Sequence, residues 1–195
     1  KTLEVLASSG HTGFYDSFFT QKMVEESNQD GSIWQSDDFK SYSVTERAPI
    51  KISFMGAKLT MAPPPSSGGT TIATILNVIS QFDFMGMDSA KRAHLITESM
   101  RRAYRDRAFN LGDPDFVDVP IEKLTSIEHA KELAQSINLD KATPIHEDDD
   151  INSKFALNEG AHTSHFSVLD ENGNRAAVTQ TINTWFGSGY MLPSS

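Results

Sequence analysis

The sequence predicts a mixed α+β chain that forms part of a larger domain. Four stretches carry apolar residues at the three- and four-residue spacing of helices, and two others alternate apolar and polar residues as strands do. The chain begins at Lys1 and ends at Ser195, directly after a glycine-rich segment. We therefore expect an excised piece of a longer protein.

The first 61 residues predict a helix followed by a short hairpin. Phe18, Phe19, Met23 and Val24 fall on one helical face, and Gly10 and Gly13 are expected to form a turn before it. From Val44 to Met61 the pattern turns strand-like, with a tight turn expected at Gly56.

Three further helices are expected after the prolines at 63 to 65. The first follows Ser66-Ser67-Gly68-Gly69, and its inward face is predicted to carry Ile72, Ile75, Leu76, Ile79 and Phe82. Asp88 is a good cap for the second, about 89 to 110, with an apolar stripe of Ala93, Ile96, Met100 and Ala103. The third spans about 127 to 137, with Ala130, Leu133, Ala134 and Ile137 inward.

Two of these helices have features that suggest ligand binding. The glycine-rich entry at 66 to 69 could hold an anion on free backbone amides, although close packing is the favoured explanation. The arginines at 101, 102, 105 and 107 could form a carboxylate-binding face. Structural ion pairs with Glu98 and Asp106 are favoured, because both acids lie within helical reach.

Residues from about 140 to 162 form a predicted linker. Periodicity disappears there, and Glu147 to Asp150 is an acidic run typical of a solvated segment. A loop of this length is usually functional or mobile. It leads directly to His162 and Thr163.

Composition excludes several classes of function. The formal net charge of -9 argues against a nucleic-acid partner, which needs a basic face. The absence of cysteine removes thiol catalysis, disulfides and thiolate metal sites. No apolar run approaches the roughly 20 residues that cross a bilayer.

A β-hairpin is strongly predicted at 163 to 182, where two alternating runs flank Asp170-Glu171-Asn172-Gly173-Asn174. A two-residue loop at Asn172 and Gly173 would place Ser164 opposite Thr181. A three-residue loop with Gly173 left-handed would place Thr163 there instead. We favour the second register, in which Thr163, Thr181 and Asn183 share one polar face, because this turn sequence suits a type I turn followed by a glycine bulge. From pattern alone, a solvated face is the simpler interpretation.

Three separated motifs favour a functional site over a solvated face. They are Thr163-Ser164-His165-Phe166-Ser167-Val168 continued to Gly189, Pro63 to Gly69, and Leu111 to Val117. Along the chain the three motifs follow the order of gamma-glutamyltranspeptidases and, with Gly13-Phe14-Tyr15 near the start, they resemble that family over essentially the whole chain. Ser164 stands where many members of that family have a second threonine.

The resemblance implies a partial N-terminal nucleophile hydrolase fold, an αββα sandwich. Residues 1–162 would be the C-terminal part of the large subunit, and residues 163–195 the start of the small subunit. Thr163 matches the nucleophile, Thr181 a threonine that hydrogen-bonds it and supports processing, and Asn183 a ligand of the substrate α-amino group. No cofactor or metal is implied.

The implied reaction begins with self-cleavage before Thr163. A threonine hydroxyl is a poor nucleophile, but the threonine's own free amine, with a pKa of about 7.7 to 8.0, can take its proton. Inside a peptide bond that nitrogen has no such basicity, so the bond between His162 and Thr163 must be cut. The product would transfer gamma-glutamyl groups from glutathione and related amides to water or to an amine acceptor.

The expected partners are therefore the small-molecule gamma-glutamyl substrate, the amine acceptor and the remainder of the protein's own two subunits. The resemblance implies a periplasmic or extracellular location. Because the family's α-carboxylate arginine and oxyanion glycines fall outside 1–195, the piece alone is expected to be inactive.

Three alternatives stay open. One is an acylase relative, either a cephalosporin acylase or a poly-gamma-glutamate transpeptidase. Another is a non-catalytic binding module. A metal site at His162, His165 and Asp148 to Asp150 is disfavoured, because residues three apart on a strand face opposite sides.

Overall fold

The computed structural model describes residues 1–144, 163–182, 184 and 186–193. The chain divides into two units, one of Lys1–Thr45 with Asn158–Ser195 and the other of Glu46–Leu157. These compact units do not correspond to the two subunits expected from cleavage before Thr163, and that division into subunits stays a prediction. The acidic run at 147 to 150 lies outside the described residues.

Seven helices and four strands occur in the described residues. In chain order they are α1 (Thr2–Tyr15), α2 (Phe18–Gln29), α3 (Ser36–Lys40), β1 (Ile50–Phe54), β2 (Ala57–Met61), α4 (Ser67–Ile79), α5 (Ser89–Asn110), α6 (Ile121–Leu124), α7 (Ile127–Gln135), β3 (Thr163–Leu169) and β4 (Arg175–Thr181). The strands form two separate antiparallel hairpins, β1 with β2 and β3 with β4. The mixed α+β composition is confirmed.

The first unit begins with more helix than the sequence predicts. Gly10 does leave the helical conformation, with φ at 59°, but Gly13 is helical and buried within α1. Helix α2 begins where Ser17 caps it, because the Ser17 hydroxyl accepts hydrogen bonds from the backbone N–H groups of Phe19 and Thr20. The expected turn is therefore a kink inside α1.

The second unit opens with the β1–β2 hairpin. Met55 and Gly56 form its two-residue loop, and both have positive φ, 48° and 80°. Such a loop matches the right-handed twist of the flanking strands. The tight turn predicted at Gly56 is confirmed.

The helical core of the second unit lies between α4 and α7. Val78 of α4 packs with Ala130 and Ala134 of α7, and three partly buried apolar side chains cover this cluster: Phe82, Leu133 and Ile137. The predicted inward face of the third helix is therefore confirmed. The helix itself ends at Gln135, two residues earlier than expected.

The predicted apolar stripes of α4 and α5 are partly wrong. In α4 Ile72 is 46% exposed, whereas Thr70, Thr74 and Asn77 are buried. In α5 Leu95, Glu98, Ser99 and Ala103 are buried, whereas Ile96 and Met100 are exposed. Both helices bury a face that is partly polar.

Hydrogen bonds to other segments explain the burial of Thr74 and Asn77 on α4. The Thr74 hydroxyl donates to the carbonyl oxygen of Leu124 at 3.0 Å, and the Asn77 amide donates to that of Thr125 at 2.8 Å. These carbonyls lie at the end of α6, where no intrahelical donor remains. A buried polar side chain costs little free energy once it has a partner, so this face is turned inward.

Glu98 is the buried polar residue of α5 that bonds to a distant segment, the stretch of chain after α7. Its side chain is 3% exposed, and its carboxylate accepts hydrogen bonds from Arg102 Nη1 at 2.6 Å, from the Thr143 hydroxyl at 2.6 Å and from the Thr143 backbone N–H at 3.1 Å. Burial alone would raise the pKa of Glu98, but these hydrogen bonds and the positive charge of Arg102 lower it to about 2. The carboxylate therefore holds residue 143 against α5.

Candidate active site

The turn between β3 and β4 sets the geometry of the candidate site. The Gly173 N–H donates to the Asp170 carbonyl at 3.1 Å, and the Asp170 N–H donates to the Asn174 carbonyl at 3.1 Å. Gly173 has φ at 81°, in the left-handed region that glycine enters without steric cost. The predicted three-residue loop, Glu171 to Gly173, is therefore confirmed.

The Asp170 side chain stabilises this turn from within. Its carboxylate accepts hydrogen bonds from the Asn174 amide at 2.6 Å, from the Asn174 N–H at 2.7 Å and from the Asn172 N–H at 2.9 Å. The bond from the Asn174 side chain contributes most to lowering the pKa of Asp170 below its ordinary value. The turn is thus fixed by residues adjacent in sequence.

The turn places Thr163 directly opposite Thr181. Leu169 pairs with Arg175, and the register continues outward to the Thr163–Thr181 pair. Ser164 pairs with Gln180, so the alternative register is wrong. Asn183, the third predicted site residue, lies outside the described residues, as does His162.

The hairpin has one polar and one apolar face. Alternation puts Thr163, His165, Thr179 and Thr181 on one face, and Phe166, Val168 and Val178 on the other. Every residue of the two strands is exposed in this chain. Thr163 is therefore accessible from solvent.

The hairpin also contains a contact that the sequence analysis missed. His165 Nδ1 lies 2.8 Å from the Thr179 hydroxyl, and His165 Nε2 lies 3.1 Å from the Ser167 hydroxyl. Beyond its place in the family motif, the sequence suggests for His165 only the disfavoured metal site. The signal that could have revealed the contact is the favoured register, which pairs His165 with Thr179.

The glycine-rich entry to α4 is closely packed. A Cβ atom on Gly69 would lie 2.1 Å from the carbonyl oxygen of Ala62, whereas one on Gly68 would meet nothing closer than 4.0 Å. Arg107 Nε donates to the Ser67 hydroxyl at 3.0 Å. Close packing, the favoured explanation, accounts for this glycine.

The basic stretch of α5 makes structural contacts. Arg101 and Arg102 both pair with Glu98, as expected. Asp106 instead approaches His129 of α7, with Oδ2 at 2.7 Å from Nε2. The preference for structural pairs over a carboxylate-binding face is confirmed at Glu98.

Metal binding has no geometric support within the part of the chain that the structure describes. No group of three or more His, Cys, Asp or Glu residues there could hold an ion. Both ring nitrogens of His165 face hydroxyl groups. The other members of the disfavoured metal site, His162 and Asp148 to Asp150, lie outside the described residues.

Comparison with known proteins identifies the family. The family model described as Gamma-glutamyltranspeptidase matches residues 1–195. The chain belongs to the gamma-glutamyltranspeptidase family. The resemblance inferred from the motifs is thereby confirmed. The matched residues include the β3–β4 hairpin that carries Thr163.

Individual relatives agree with this assignment. The glutathione hydrolase proenzyme of Escherichia coli (strain K12) is 39% identical over 197 residues, which cover 100% of this chain and 34% of that protein. The Acylase ACY 1 proenzyme of Pseudomonas sp. (strain SE83) is 30% identical, covering 100% of this chain and 34% of that protein. The chain thus spans about a third of the length of these two relatives.

A solved structure supports the fold. The crystal structure of Helicobacter pylori gamma-glutamyltranspeptidase superimposes with a TM-score of 0.67 at 36% identity, over 82% of this chain and 46% of that one. The described residues are thus a mixed helix and strand portion of the N-terminal nucleophile hydrolase fold of gamma-glutamyltranspeptidases. Among them, no helix is both long and apolar enough to cross a bilayer.

Proposed function

We propose that this chain belongs to a self-cleaving gamma-glutamyl transferase and hydrolase, and spans the end of its large subunit and the start of its small subunit. Thr163 is the nucleophile, Thr181 supports it by hydrogen bonding, and Asn183 binds the α-amino group of the substrate. The protein acts in the periplasm or outside the cell, together with the remainder of its own two subunits.

The observation that carries this proposal is the pairing of Thr163 with Thr181. At the turn, Asp170 and Asn174 form the last hydrogen-bonded pair of the hairpin. Hydrogen-bonded and non-hydrogen-bonded pairs alternate along antiparallel strands, so Thr163 and Thr181, seven pairs away, form a non-hydrogen-bonded pair. Side chains approach most closely in such pairs, with Cβ atoms about 4.5 to 5.5 Å apart. Two hydroxyls at that separation are within reach of one hydrogen bond.

The first step is self-cleavage. The Thr163 hydroxyl attacks the carbonyl carbon of His162, the C–N bond of the peptide breaks, and the hydroxyl proton passes to the released nitrogen. The product is an ester between His162 and Thr163 Oγ. Water then adds its OH to the ester carbonyl and its proton to Oγ, which leaves Thr163 with a free α-amine.

The second step is acyl transfer. The α-amine of Thr163 takes the proton from its own hydroxyl while Oγ attacks the gamma-glutamyl amide carbon. The amide C–N bond breaks, and the leaving amine receives that proton. Water or an acceptor amine then attacks the acyl-enzyme, returns a proton to Oγ and releases the product.

Intact mass and N-terminal sequencing of the full-length precursor test this mechanism. We expect wild type to produce a new N-terminus at Thr163, and Thr163→Ala to remain uncut with no turnover of a gamma-glutamyl anilide. Ser164→Ala is the matched control, because it removes a neighbouring hydroxyl that faces the other side of the hairpin. It should cleave as wild type does.

Cleavage of the Thr163→Ala precursor at the same bond would reject Thr163 as the nucleophile. A binding module would be indifferent to this change, since it needs neither cleavage nor acyl transfer. The similarity to an acylase proenzyme keeps a second substrate class open. Turnover of a cephalosporin side-chain amide, but not of the anilide, would favour that acylase.

A further inference from the structure

His165 occupies the position next to Thr163 on the polar face of the hairpin. Strand alternation brings it to the same side, two residues along β3. Its partner across the hairpin is Thr179, which is likewise two residues from Thr181. The Thr163–Thr181 pair therefore has a second cross-strand pair of polar residues directly beside it.

A side-chain contact crosses the hairpin at this second pair. The Nδ1 atom of His165 is 2.8 Å from the Thr179 hydroxyl, and Nε2 is 3.1 Å from the Ser167 hydroxyl on the same strand. A hydroxyl can donate or accept a hydrogen bond, so both contacts persist whether the imidazole is neutral or protonated. The ring is held from two directions.

The contact between His165 and Thr179 becomes important after cleavage. In the precursor, Thr163 is continuous with the chain before it. After cleavage Thr163 is the first residue of β3, and chain ends fray unless other contacts hold them. The pairing of β3 with β4 and the contact between His165 and Thr179 both act at this end of β3, so they help to keep the new terminus in place.

We propose that His165 is a positioning residue for Thr163, because its bond to Thr179 keeps the free end of β3 in register with β4. The inference rests on the function proposed above and adds a positioning role for a residue that the proposed mechanism does not use. Loss of the bond lets the first residues of β3 move away from β4. The Thr163 hydroxyl and amine then spend less time in the reactive geometry.

Two isosteric replacements separate the two ring nitrogens. His165→Asn keeps a polar atom at the position of Nδ1, which faces Thr179. His165→Gln keeps one at the position of Nε2, which faces Ser167. If the cross-strand bond is what matters, only the asparagine variant retains function.

The experiment uses full-length protein that has already cleaved, assayed with a gamma-glutamyl anilide. We expect His165→Gln and Thr179→Val each to lower kcat about tenfold with KM little changed, since small displacements of a reacting group are costly. His165→Asn and Thr179→Ser should stay within about threefold of wild type. The His165→Gln/Thr179→Val double variant should lose no more than either single variant.

Several outcomes would overturn the inference. Wild-type kcat in both His165→Gln and Thr179→Val would show that the cross-strand bond does not position Thr163. Equal loss in His165→Asn and His165→Gln would mean that the imidazole acts in another way. If the wild-type precursor neither cleaves nor turns over the anilide, the proposed function fails instead, and the two failures are distinguishable.

Discussion

The β3–β4 hairpin and the α4–α5–α7 helical unit are stabilised in different ways. In the hairpin, the turn residues Asp170, Gly173 and Asn174 bond to one another within five positions of the sequence. In the helical unit, Thr74 and Glu98 bond to Leu124 and Thr143, which lie 50 and 45 positions away. The hairpin register is therefore a local property, whereas the buried faces of the helices depend on distant segments.

This difference suits the proposed chemistry. A nucleophile that must cut its own chain has to sit in the correct register before cleavage, and a locally encoded turn provides that without help from distant contacts. The helical unit instead joins separate stretches of chain through buried polar groups. The two regions should respond very differently to substitution.

The largest effect is expected at Glu98. Glu98→Ala leaves the guanidinium of Arg102, which is 11% exposed, without its carboxylate. Breaking a buried ion pair in this way typically costs about 3 to 5 kcal/mol. The free energy of unfolding of the precursor, from urea denaturation, should fall by that amount. A loss below about 1 kcal/mol would show that the ion pair with Arg102 and the hydrogen bonds from Thr143 contribute little.

The contribution of Glu98 should also depend on pH. Its pKa falls from 4.5 to about 2 on folding, so the stabilisation is present above pH 4.5 and is lost as pH falls toward 2. A shift of this size corresponds to about 3 kcal/mol.

The matched control for this pH effect is Glu98→Gln, which cannot titrate. The difference in unfolding free energy between wild type and Glu98→Gln should shrink as pH falls from 5 to 2.5. Other carboxylates titrate in both proteins, so their effects cancel. A difference that stays constant over this range would contradict the lowered pKa.

The smallest effect is expected at the hairpin turn. Gly173→Ala forces a residue with a Cβ atom into a φ of 81°, although that Cβ would meet no atom within 4 Å. The cost is therefore backbone strain alone, about 1 kcal/mol. Gly173→Asn should cost less, because asparagine tolerates this conformation. Thermal unfolding of the precursor measures both; a loss as large as that at Glu98 would contradict the local origin of the register.

The sequence predicted most of the candidate site because the site is local. The residues from Asp170 to Asn174 determine the loop, the loop determines the register, and the register brings Thr163 to Thr181. The same register would have revealed the pairing of His165 with Thr179. Residue type alone, in contrast, suggests for this histidine only the disfavoured metal site.

The sequence by itself thus determined the hairpin, its register, the family and the inward face of α7. Only the tertiary structure decided which faces of α4 and α5 are buried, since apolar periodicity favoured Ile72, Ile96 and Met100. Those residues are exposed in this chain, and Thr74, Asn77 and Glu98 are buried instead. The physical reason is that a polar side chain becomes compatible with burial once a partner satisfies it. For Thr74, Asn77 and Glu98 that partner comes from a distant segment, which periodicity within one helix cannot reveal.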